Sequence, residues 1–187
     1  MDRTILHCDC NSYFASVECI SHPELKRVPM AVCGDPESRH GIILAKNELA
    51  KKFGVKTGEA IWQAKQKCPL LITVKPDYDA YQKFSTLGRA IYGEYSDRVE
   101  AFGLDENWID VTASTADMAD AYRLAQVIRG RIREELGLHV GPLTPLVPDF
   151  RTQYPQIELE LNTNDLIIDL LEEDTEFAVK WSNLCEA

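Results

Sequence analysis

The sequence predicts an α/β fold. Three observations carry that reading. Short apolar runs recur between Gly, Pro, Asn and Asp residues, as strands do. Longer segments between them place apolar residues at three- and four-residue steps, as helices do. The composition, 45% hydrophobic and 27% charged over 187 residues, is enough to bury a core in one ordinary domain or two small ones.

The elements follow in order. Thr4–Cys10 reads as a strand, short and apolar with a polar end. Ser12–Ile20 reads as a helix, with Tyr13, Phe14, Val17 and Ile20 at helical spacing, and Pro23 and Pro29 bracket a connection. Pro29–Cys33 is a second strand, stopped by the turn signal Gly34-Asp35-Pro36, and Gly41–Ala45 is a third. Asn47–Phe53 is a short helix closed by Gly54, and Gly58–Cys68 is another, stopped by Pro69. Leu71–Val74 is a strand. Asp77–Tyr95 is a long helix whose apolar stripe runs through Tyr81, Phe84, Leu87, Ile91 and Tyr95. Val99–Leu104 and Asn107–Val111 are two strands around Asp105-Glu106. Asp117–Leu136 is a helix with Ala121, Leu124, Ala125, Ile128, Ile132 and Leu136 on one face, ended by Gly137. Beyond Gly141-Pro142 the spacing predicts a helix (Leu146–Gln153), a strand (Gln156–Leu161), a helix (Asp165–Glu173) and a strand (Phe177–Trp181).

The net charge of −10, taken alone, argues against a nucleic-acid partner. It is unevenly spread. Residues 1–140 hold 18 Lys+Arg against 20 Asp+Glu, while residues 141–187 hold 2 against 10. The first segment is nearly neutral and locally basic, and the break near residue 140 marks a boundary. No apolar run is long enough to span a membrane, and the first residues lack the apolar stretch of a secretory signal. The expectation is a cytoplasmic protein, with no membrane partner, whose six cysteines are reduced thiols. In the stretch His7-Cys8-Asp9-Cys10, strand alternation puts both cysteines on one face and Asp9 on the other, which favours buried thiols over a zinc site.

Asp9 ends the first strand, and Asp105-Glu106 lie between two strands that follow a long helix. A hairpin tip beside a strand end brings three carboxylates together, and their mutual repulsion calls for a cation. Oxygen ligands of this kind suit Mg²⁺, which binds through a few carboxylates plus substrate phosphates. Acidic residues also sit at strand ends simply because they are soluble there, so on spacing alone both readings stand.

Three stretches, HCDCNSYFASVE, GIILAKNELAKKFGVKTG and VEAFGLDENWIDVT, resemble the Y-family of translesion DNA polymerases, of the ImpB/MucB/SamB and DNA polymerase IV kind. The resemblance runs from about residue 4 to about residue 139. It implies an α+β palm with an antiparallel-type sheet over residues 1–10 and 75–140, and small helical fingers over residues 11–74. It implies metal-dependent nucleotidyl transfer by Mg²⁺ or Mn²⁺ held on Asp9, Asp105, Glu106 and the Cys10 carbonyl. Phe14, with Tyr13 beside it, would be the aromatic that blocks a ribose 2′-OH, and Asn47 and Lys51 would meet the incoming triphosphate. The implied partners are a dNTP and primer-template DNA.

The chain departs from the family pattern at several points. Asn11 stands where many relatives carry a second acid, and Glu48 replaces a fingers tyrosine, placing negative charge near a phosphate site. Lys51 stands where arginine is common, keeping the charge and losing the bidentate fork. Gly103 replaces a small polar residue. Tyr13 and Phe14 also fit plain core packing, and Lys46, Lys51, Lys52 and Lys56 also fit a solvated face.

Residues 143–181, with their F-R-x-x-Y-P, I-E-L-E-L and F-A-V-K-W strings, are similar to part of the effector-binding domain of LysR-type regulators. Together the resemblances imply a chimera whose residues 141–187 form a βαβ-like segment that completes the palm sheet or packs beside it. Thumb and little-finger domains are missing from the pattern, so the expectation is a chain with weak or no synthesis alone. The alternatives are a chimeric scaffold without catalytic role and a partial small-molecule module.

Overall fold

A computed structural model describes residues 3–34 and 41–141. Most of the Gly34-Asp35-Pro36 turn and, Gly141 excepted, the LysR-like segment over residues 141–187 lie outside the described residues.

The described chain is α/β and holds two three-stranded sheets. In the first, β1 (Ile5–Cys8) and β5 (Val99–Phe102) flank β6 (Glu106–Asp110), all antiparallel. In the second, β3 (Ile43–Lys46) runs antiparallel and β4 (Ile72–Val74) parallel to the central β2 (Met30–Cys33). β2 is buried along its whole length, as a strand covered on both faces must be, and its MAVC sequence is apolar throughout.

Helix α1 (Tyr13–Ser21) joins the two halves. Tyr13 and Val17 enter the core of the first sheet, whereas Ala15 and Cys19 pack with Leu25, Met30 and Val32 of the second. The first core is completed by α4 (Tyr78–Gly93) and α5 (Met118–Arg131). A third apolar cluster, on the other side of the second sheet, holds α2 (Glu48–Lys52) and α3 (Ile61–Lys67) through Ala50, Ile61 and Ala64. Asn47, Asp77 and Asp117 cap α2, α4 and α5, each accepting from the backbone N–H three residues on.

Four expectations are corrected. Residues 58–60 are not helical. They run beside β3, with Ile43 N donating to Glu59 O at 2.9 Å and Gly58 N to Ile43 O at 2.8 Å. Gly58 has φ 82°, a left-handed backbone that glycine adopts without strain. The buried stripe of α4 is Tyr81, Ser85, Gly88, Ile91 and Tyr92, and Leu87 is exposed. The Gly88 side of the helix faces Ile132 and Leu136, whose Cδ1 atoms stand 4.0 Å from where a Cβ would be. The last turn of the predicted Asp117–Leu136 helix is π-helical, Ile132–Leu136, which keeps both of those side chains buried. Finally, Pro23–Arg27 forms a 3₁₀ turn where a plain connection was expected.

Candidate carboxylate site

Regular pairing of β1 ends at Cys8, but its alternation continues. Leu6, Cys8 and Cys10 are buried, while His7 and Asp9 face outward. Cys10 then bridges antiparallel to Val140, Asn11 N donates to His139 O at 2.8 Å, and Gly141 N donates to Asp9 O at 2.9 Å. The segment around Leu138–Val140 thus meets the chain where Asp9 stands. On the other side, β5 and β6 are joined by Gly103-Leu104-Asp105. Gly103, the first residue of this loop, has φ 72°, a left-handed backbone. A left-handed backbone favours glycine here.

This hairpin splits the acidic pair. Asp105 lines a cleft with Cys10, Tyr13, Tyr92 and Asn107, on the inner side of the sheet end. Glu106 lies on the outer side with Trp108, as strand alternation requires, and so shares a face with Asp9 and His7. The three carboxylates are close enough to act on one another. Burial, then the charges of Asp9 and Glu106, push the Asp105 carboxyl up to about 6. Desolvation and Glu106 also raise Asp9, with His7 pulling it back.

Among the described residues, no three His, Cys, Asp or Glu side chains stand in a ready-made ligand cluster. The donor chemistry nonetheless fits a hard divalent cation. Two carboxyls held above their ordinary range by burial and then by neighbouring negative charge gain from a cation that offsets that charge. Cys10 offers no thiolate. Burial, Asp105 and Asp9 push its thiol up to about 12, so only its carbonyl suits a hard ion. All five described cysteines are buried and unpaired.

Tyr13 is 4% exposed, and its hydroxyl donates to Tyr81 O at 2.6 Å, so it is a core residue. Phe14 is partly buried and stacks on Tyr81 with centroids 4.3 Å apart and planes 8° off parallel. It packs against the cores of both sheets and so marks the seam between them. Tyr81 is held in turn by Glu18, which accepts from its hydroxyl at 2.5 Å and from Asp77 N at 3.2 Å.

The fingers residues fare differently. Asn47 Oδ1 accepts from Met30 N and Ala50 N, and Nδ2 donates to Val28 O and Leu25 O. All four hydrogen-bonding positions of the amide are occupied within the chain, so its role here is to tie the 3₁₀ turn, β2 and α2 together. Lys51 is exposed on α2. Lys46 reaches Thr57, its Nζ donating to Oγ1 at 3.3 Å.

The sequence reading missed the pairing of His7 with Trp108 beside these carboxylates. His7 and Trp108 face each other across β1 and β6 and stack at 4.2 Å. The signal was present: His7 lies two residues before Asp9 and Trp108 two after Glu106, the period that shares a strand face.

The sequence matches the impB/mucB/samB family over residues 8–141. It is 57% identical over 141 residues to a DNA polymerase IV of Acetivibrio thermocellus, covering 75% of this chain and 35% of that protein. It is 37% identical over 145 residues to a DNA polymerase IV 2 of Bacillus subtilis, again covering 75% and 35%. Among solved structures, an insertion ternary complex of Dbh DNA polymerase superposes with TM-score 0.69 at 29% identity, covering 73% of this chain and 40% of that one. DinB from Sulfolobus solfataricus gives TM-score 0.68 at 28% identity, covering 73% and 40%. The chain thus spans little more than a third of the relatives it matches. On the strength of the match over residues 8–141, the chain belongs to the impB/mucB/samB family.

Proposed function

We propose that residues 1–10 and 75–140 form the palm, and residues 11–74 the fingers, of a translesion-type DNA-directed DNA polymerase. The reaction is metal-dependent nucleotidyl transfer from a dNTP to a primer end. One observation carries the reading. Carboxylates almost a hundred positions apart in sequence meet at one sheet end, where burial and then the charges of Asp9 and Glu106 push the Asp105 carboxyl up to about 6. A carboxyl perturbed by burial and by specific charged neighbours, lining a cleft, is a mark of a functional site.

Asp9, Asp105, Glu106 and the Cys10 carbonyl would hold Mg²⁺ or Mn²⁺. When bound, such ions favour the ionised primer 3′-hydroxyl and offset charge on the leaving pyrophosphate. The rest falls to the chain. Phe14, fixed flat on Tyr81 at the seam between the sheets, is rigid enough to exclude a 2′-OH. Glu18 and Asp77 hold that support from behind. Residues 41–75 carry seven lysines against two glutamates, a net of +5 in a chain of −10, which suits triphosphate and DNA backbone. Trp62, 57% exposed among these lysines, is a surface on which a base can stack. Lys51, on the exposed side of α2, is the proposed triphosphate contact, and Asn47 supports it through the helix cap.

The buried, unpaired thiols suit a reducing compartment, and the proposed location is the cytoplasm. The LysR-like reading of residues 141–187, and with it the chimera, rests on the sequence strings alone. A second reading, a scaffold without catalytic role, draws on the absence of a closed ligand cluster among the described residues. Primer extension with Mg²⁺ or Mn²⁺ separates the two. The polymerase reading expects weak, template-directed addition that Asp105→Ala abolishes, and equal activity of wild type and variant would overturn it.

A further inference from the structure

We propose that His7 is a positioning residue for Glu106, a role that rests on the reading of Glu106 as a cation ligand. Strand alternation puts His7 on the same outer face as Asp9, and the β1–β6 register sets it opposite Trp108, two residues from Glu106 and on the same face. The His7 ring lies nearly flat on the Trp108 ring, 4.2 Å between centroids and 22° between planes. The side chain is only 14% exposed, and its Nε2 is shielded from water with no hydrogen-bond partner. That nitrogen faces Glu106 Oε2 at 3.9 Å.

A shielded imidazole nitrogen without a partner is unfavourable, and few native side chains keep one. Here the Trp108 stack fixes the ring, so the nitrogen is already aimed when Glu106 approaches. A shift of about 1 Å by the flexible Glu106 side chain makes an N–H···O bond of ordinary length. The bond holds Glu106 on the Asp9 side of the sheet, whereas an unheld glutamate would sample several rotamers. Carboxylates that bind metals are commonly held this way by a neighbouring donor, and loss of that donor weakens metal binding about 10- to 100-fold.

The test is calorimetric titration of the full chain with Mn²⁺ at one pH, paired with thermal melting in chelator. His7→Phe keeps a flat ring on Trp108 and removes the nitrogen. The expected result is Mn²⁺ affinity about 10-fold weaker, with the melting temperature in chelator unchanged or raised, because the unpartnered atom is gone. His7→Gln, which restores an N–H donor, recovers most of the affinity. A purely structural histidine would instead lower the melting temperature and leave Mn²⁺ affinity alone, and that result overturns the proposal. If folded wild-type chain takes up no Mn²⁺, the cation reading itself falls and takes this role with it. Should His7→Phe fail to fold, Trp108→Ala carries the test. It frees the ring and is expected to weaken Mn²⁺ binding to the same degree, and unchanged affinity overturns the proposal.

Discussion

Replacing Asp105 by Asn should stabilise the protein in the absence of divalent cations. The Asp105 carboxyl rises from its ordinary 3.8 to about 6 because burial and the charges of Asp9 and Glu106 disfavour its ionised form. A rise from 3.8 to about 6 corresponds to about 3 kcal/mol, and the part exposure of the side chain reduces the expected effect to about 1–2 kcal/mol. The sign follows from which state holds the proton. The folded state binds it more tightly, so wild type loses stability as pH rises from about 4 and the loss is complete above about 6. Asn carries no charge at any pH. In chelator, Asp105→Asn should therefore melt about 3–6 °C above wild type at pH 8, with the two converging near pH 4. Added Mg²⁺ should raise wild type and leave the variant nearly unmoved. Circular-dichroism melts from pH 4 to 8, with chelator and then with Mg²⁺, read both effects. A variant less stable than wild type at pH 8 in chelator, or a difference independent of pH, would refute the idea that burial and the neighbouring carboxylates disfavour the ionised form of Asp105.

Asp110 should behave in the opposite sense. It accepts from Arg3 Nη2 at 2.6 Å and from Thr112 Oγ1 at 2.6 Å, and these partners hold its carboxyl at about 2 against the burial that opposes them. Asp110→Asn should cost about 1–3 kcal/mol at pH 7 in urea unfolding, with the difference shrinking as pH falls below about 4 toward 2. Gly88→Ala should raise stability by about 0.5–1 kcal/mol, since nothing lies nearer than 4.0 Å to its added Cβ; a lowered melting temperature would show that the contact with Ile132 and Leu136 cannot give. Trp62→Ala should weaken binding of a single-stranded oligonucleotide about 10-fold by fluorescence anisotropy, with affinity falling as salt rises. Unchanged binding would remove Trp62 from the DNA surface.

Local signals read well because local physics set them. The Ala121–Ala125–Ile128 stripe of α5 and the outward turn of Asp9 from Cys8 and Cys10 both follow from one residue's immediate neighbours. The split of Asp105 from Glu106 was implicit in the two-residue strand period, once the loop is known to end at Asp105. What escaped depends on partners distant in sequence. The Gly88 side of α4 faces Ile132 and Leu136, and no periodicity within Asp77–Tyr95 reports them. Asn47 looked like a phosphate contact through family resemblance, yet Leu25, Val28 and Met30 take up its amide. Glu18, buried under Tyr81 and Asp77, gave no sign in its own helix of the hydrogen bonds that let it stay there. The parallel pairing of β2 with β4 is likewise invisible in two short apolar runs separated by two helices.

The most direct test of the central claim is Mn²⁺ affinity measured on the full chain and on Asp9→Ala, Asp105→Ala and Glu106→Ala singly. If the three carboxylates share one cation site, wild type binds and each substitution weakens binding at least about 10-fold, because each removes a charge that the others cannot replace. Binding that survives all three substitutions, or a folded wild type that binds no Mn²⁺, would contradict it.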